Sequence, residues 1–107
     1  YSGNQSHTYA YFDGTVGIMN TKQLIVGGES TCSGVFVTTS IGNGGKALFS
    51  INELSRMALE QTSTARDAIQ LMGLLAEEHG FYGPEGSFEG SGESLMVADP
   101  HEGFVFH

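Results

Sequence analysis

The middle of the chain carries two helix-start signals in succession, and strand-like segments lie on both sides of them. Ser50 and Glu53 have the Ser-x-x-Glu spacing of a capping box, in which the serine hydroxyl accepts the backbone N–H three residues on. Ile51, Leu54, Met57 and Ala58 then recur at helical intervals, which predicts an amphipathic helix ending near Gln61. Thr64 and Asp67 repeat the start signal, with Asp67 favoured near the positive end of the helix dipole. Ala65, Ala68, Ile69, Met72, Leu75 and Ala76 mark the buried face of this second helix. Leu71 and Leu74 widen it, so the helix is expected to pack on two neighbours, and Gly80 is read as its left-handed terminator. Strands, then two consecutive helices, then strands read as an α+β architecture.

Strands are expected on both flanks. Ser6–Phe12, with Tyr9, Tyr11 and Phe12, has the composition of a pleated surface, and Asp13-Gly14 follows as a turn dipeptide. Val16–Met19 and Leu24–Gly28 are the next two strands, joined by a turn over Asn20-Thr21-Lys22-Gln23, and Val35–Val37 is a short third candidate. Ile41–Gly45 is read as a loop. Beyond the helices, a Gly-rich loop over 83–92 precedes a hairpin over about 94–107, with strands Ser94–Ala98 and Phe104–Phe106 around Asp99-Pro100-His101-Glu102-Gly103. The expectation is one domain over 1–107: strands over about 6–37, helices over about 51–79, then loop and hairpin. The chain lacks an initiator Met and stops just after an apolar strand run, so it is read as an incomplete domain.

Composition narrows the function. Twelve acids against four bases give a formal charge of −8. Lys22, Lys46, Arg56 and Arg66 are scattered instead of clustered, which argues against nucleic acid and anionic membranes as partners. No apolar run approaches the roughly 20 residues of a membrane helix, and no targeting segment is visible. The compartment is unassigned. The single cysteine, Cys32, excludes an internal disulfide and a multi-thiolate zinc site.

Few residues carry chemistry on their own. Cys32, in Gly28-Glu29-Ser30-Thr31-Cys32-Ser33-Gly34, has no basic residue or histidine nearby in sequence to generate a thiolate, and reads as a small packed residue. His7, His79, His101 and His107 lack metal-ligand spacing, so neither a metal nor a cofactor is expected. Glu29, after an apolar strand, could hold a substrate ammonium or be a solvated loop acid, and the residues leave both open. Gly42-Asn43-Gly44-Gly45-Lys46 lacks the phosphate-loop pattern.

Three segments in order resemble one family. They are Gly17–Leu24 continuing to Gly28-Glu29-Ser30-Thr31-Cys32, then Glu53–Gln61 leading to Thr64-Ala65-Arg66-Asp67-Ala68-Ile69, and then Gly92-Glu93-Ser94 through Asp99-Pro100-His101-Glu102. These are similar to the Met-Asn-Glu-Lys/His-Gly, Glu-Ser-Thr, Thr-Ala-Arg-Glu-Ala-Ile and Asp-Pro-x-Glu stretches of the N-terminal-nucleophile cysteine dipeptidases, the dipeptidase A and secernin-like group. Thr21 stands where the family has Glu, and Gln23 where it has Gly.

The resemblance implies part of a four-layer αββα N-terminal-nucleophile hydrolase sandwich, with antiparallel strands and two consecutive helices. It implies a thiol dipeptidase that hydrolyses dipeptides or short peptides, with the cysteine nucleophile upstream of Tyr1 and Cys32 a bystander. This chain alone would then be inactive and contain no catalytic residue. Asn20, Glu29, Ser30 and Thr31 match the family's segment near the cleft and are the substrate-binding candidates. Arg66 is expected to pair structurally. The implied partners are a short peptide substrate and the remainder of the same protein, with a homo-oligomer left open. The alternative is a non-catalytic secernin-like or binding domain on the same scaffold.

Overall fold

A computed structural model describes residues 7–14, 17–33, 39–83 and 91–107. The elements run β1 (Tyr11–Asp13), β2 (Gly17–Asn20), β3 (Ile25–Ser33), a 3-10 turn (Ile41–Asn43), β4 (Phe49–Ser50), α1 (Ile51–Gln61), α2 (Ala65–His79), β5 (Phe81–Tyr82), β6 (Ser91–Ala98) and β7 (Gly103–Phe106). Five strands form one antiparallel sheet in the order β1-β2-β3-β6-β7. The long β3–β6 pair is its spine. The chain is therefore a mixed α+β domain with an antiparallel sheet and two consecutive helices.

The helix signals act where the sequence places them. The Glu53 N–H donates to Ser50 Oγ at 3.1 Å, and the Asp67 N–H donates to Thr64 Oγ1 at 3.2 Å. A connection over residues 62–64 turns the chain back, so that α1 and α2 pack as a pair. Both lie on one face of the sheet, α1 against β1, β2 and β3, and α2 against β6 and β7. Leu24, Val26, Leu95, Val97 and Phe106 from the sheet meet Leu54, Ala58, Leu59, Ala68, Met72 and Leu75 from the helices in a single core. Each apolar side chain so buried contributes roughly 1.5–3 kcal/mol relative to exposure, which is why the period-2 and period-3.6 stripes decide this face.

Several expectations change. The strand expected over Ser6–Phe12 is confined, among the described residues, to Tyr11–Asp13, because only those residues find a partner in β2. The strand expected to stop at Gly28 continues to Ser33, since β6 supplies a partner along its length. For the same reason the Gly-rich stretch gives way at Ser91, where β6 begins. Ile41–Asn43 forms a 3-10 turn within the expected loop. Leu74 is largely exposed, so only Leu71 widens the buried face of α2.

Gly80 does end α2, but at φ 73° and ψ 153° it has a positive φ outside the left-handed helical region. That conformation lets β5 run parallel to β4, a pairing the sequence reading missed. A side chain at Gly80 would approach Ala47 Cα at 3.1 Å. The candidate strand Val35–Val37 lies outside the described residues, as do residues 84–90 of the Gly-rich loop.

Candidate functional site

The candidate residues lie at the two ends of β3. At its start, β2 turns into β3 through Asn20-Thr21-Lys22-Gln23-Leu24. The Gln23 N–H donates to the Asn20 carbonyl at 3.1 Å, and the Asn20 N–H donates to the Leu24 carbonyl at 3.0 Å. This is a three-residue hairpin loop whose last residue needs a left-handed backbone, and Gln23 supplies it at φ 64°. Glycine adopts that conformation without cost, whereas a residue with a Cβ pays roughly 1–2 kcal/mol. The position at which the dipeptidase pattern has Gly is thus one where the backbone of this chain favours Gly.

Asn20 is buried, only 4% exposed. Its amide nitrogen donates to the carbonyls of Leu59 at 2.9 Å and Thr62 at 2.8 Å. Its amide oxygen accepts the N–H groups of Lys22 at 2.9 Å and Leu24 at 3.1 Å. Both amide hydrogens and both lone pairs are committed to the backbone. Asn20 therefore bolts the β2–β3 turn to the end of α1, and its contribution to a site is positional: it holds the root of β3. Nearby, the Gly17 N–H donates to Ser55 Oγ, and Arg56 pairs with Asp13 at 3.1 Å. The Tyr11 hydroxyl donates to Glu60 at 3.2 Å. Partial burial and then the Glu60 carboxylate raise the Tyr11 phenol above its ordinary value.

The other three candidates lie at the far end of β3, which the structure describes by its backbone. The register skips between Gly27, opposite Met96, and Ser30, opposite Ser94. One extra β3 residue is accommodated there as a bulge, with Gly28 at φ 61°. A side chain at Gly28 would strike the Met96 sulfur at 2.6 Å, while one at Gly27 would meet nothing within 4 Å. Because faces alternate along a strand, the bulge changes which β3 positions share a face with which β6 residues. Past it, Thr31 pairs with Glu93, Cys32 with Gly92 and Ser33 with Ser91. Ser30 is in register with Ser94 and Thr31 with Glu93. Glu29 sits within the skipped register.

Glu93, in the Gly92-Glu93-Ser94 motif, is a further residue of interest. It is 2% exposed and lies in alternation with Leu95 and Val97 on the helix side, where its carboxylate accepts the Ser94 N–H at 3.0 Å. The signal available in the sequence was a carboxylate at the period-2 positions of an otherwise apolar strand.

At the opposite end of β6, Asp99 organises the hairpin. Its carboxylate accepts the N–H groups of Ala65 at 2.7 Å, His101 at 2.8 Å and Glu102 at 2.9 Å. These bonds, the Ala65 one foremost, hold its pKa below the ordinary carboxylate value. The Asp-Pro-x-Glu turn is thereby fastened to the start of α2. Arg66 adds a two-pronged pair with Glu102 at 2.9 and 3.1 Å and stacks over Phe104. Its expected structural pairing is what the geometry shows.

Among the described residues, the sheet face away from the helices exposes an apolar row. Register aligns Phe12 with Met19, Met19 with Ile25, Ile25 with Ala98 and Ala98 with Gly103, so one row crosses all five strands. Met96 and Val105 form the adjacent row. Phe12 is 75% exposed, Met96 55% and Val105 56%. An apolar row without a charged residue is unusual for a sheet face turned to water, where alternation normally supplies polar side chains.

Among the described residues no group of three or more His, Cys, Asp or Glu side chains is arranged to hold a metal. None of their helices is long and apolar enough to cross a membrane. No family model matches the chain, and neither a curated protein nor a solved structure matches it.

Proposed function

We propose that this chain is the helix-and-sheet half of a thiol dipeptidase of the N-terminal-nucleophile class, built as a four-layer αββα sandwich. The observation that carries the proposal is the one-sided sheet. Helices cover one face, and the uncharged row Phe12–Met19–Ile25–Ala98–Gly103 crosses the other. A second sheet packed about 10 Å away would bury that row and complete the layers. The left-handed Gln23, at the family's glycine position, and the Asp99 turn bolted to α2 support the same reading of the motifs.

In this reading the nucleophilic cysteine comes from outside these 107 residues. Its α-amino group takes the thiol proton, the thiolate attacks the peptide carbonyl, the C–N bond breaks as that proton passes to the leaving amine, and water then hydrolyses the thioester and restores the thiol. The chain contributes a rim of the cleft. Asn20 fixes the root of β3, and the bulge at Gly28 sets the register of Glu29, Ser30 and Thr31. Those three belong to the segment proposed to take part in binding a short peptide. Cys32 has no part in the chemistry.

The test is hydrolysis of unblocked dipeptides by the polypeptide that includes the upstream segment. Replacing its N-terminal cysteine with Ala abolishes cleavage, and Cys32→Ala leaves cleavage intact. Absence of cleavage with the cysteine in place would favour a non-catalytic binding domain on the same scaffold.

A further inference from the structure

We draw no further inference here: the strongest candidate, the buried Glu93 carboxylate on the helix side of β6, accepts the backbone N–H of its own neighbour Ser94, and nothing else among the described residues there points to a ligand.

Discussion

Replacing Asn20 with Ala should cost this chain a large part of its stability. The substitution removes one amide and leaves several backbone groups unsatisfied: the carbonyls of Leu59 and Thr62, and the buried Leu24 N–H. The fourth partner, the N–H of Lys22, belongs to an exposed residue and can turn to water. A buried backbone group left without a partner costs about 1–3 kcal/mol, so three such groups set a loss of at least about 3 kcal/mol. Against the roughly 5–15 kcal/mol of a typical domain, that is severe.

Urea unfolding followed by circular dichroism measures the loss as a shift in midpoint at constant slope. Asn20→Asp dissects the bracket further. It keeps the acceptor for the turn but sets a carboxylate against two carbonyl oxygens, which raises its folded-state pKa above the unfolded value. Its stability relative to the wild type should therefore be best below the unfolded pKa, near 3.9, and fall as pH rises through the folded value. A loss under about 1 kcal/mol for Asn20→Ala would refute the bracket and return the amide to candidacy for direct substrate contact.

Other perturbations follow from the same geometry. Gln23→Gly should stabilise the chain by about 0.5–1 kcal/mol, because relief of the left-handed backbone outweighs the added chain entropy; a rise in melting temperature checks it. Gly28→Ala should destabilise by about 1–3 kcal/mol through its positive φ and the Met96 contact, whereas Gly27→Ala in open space should be near neutral, both read by thermal unfolding. Asp99 has a lowered folded pKa, so its contribution is fully present above the unfolded value near 3.9 and is lost as pH falls through the lower folded value; Asp99→Asn should flatten the acid limb of a stability–pH curve.

What the sequence made legible is what depends on near neighbours. Ser50 and Thr64 cap their helices because a hydroxyl needs only the N–H three residues on. The turn at Asn20–Gln23 and the hairpin around Asp99 are likewise local. The bulge at Gly28, the start of β6 at Ser91 and the parallel β4–β5 pair were not legible, since each is decided by a partner far along the chain. Asn20 stood out from its motif, yet its bonds to Leu59 and Thr62 appear only once α1 is folded over β2. The row on the outer face was equally hidden. Phe12, Met19, Ile25 and Ala98 come from separate segments, and register alone aligns them.

That row makes the layered-hydrolase proposal directly measurable by methionine oxidation with peroxide, read by mass spectrometry. Met96 lies on the outer face and is half exposed, while Met57 of α1 and Met72 of α2 are buried in the core and serve as internal standards. In the 107-residue chain Met96 should oxidise readily and Met72 slowly. In a longer polypeptide that supplies the proposed second sheet, Met96 should become as protected as Met72. Equal and rapid oxidation of Met96 in both would contradict the αββα arrangement and, with it, the dipeptidase reading.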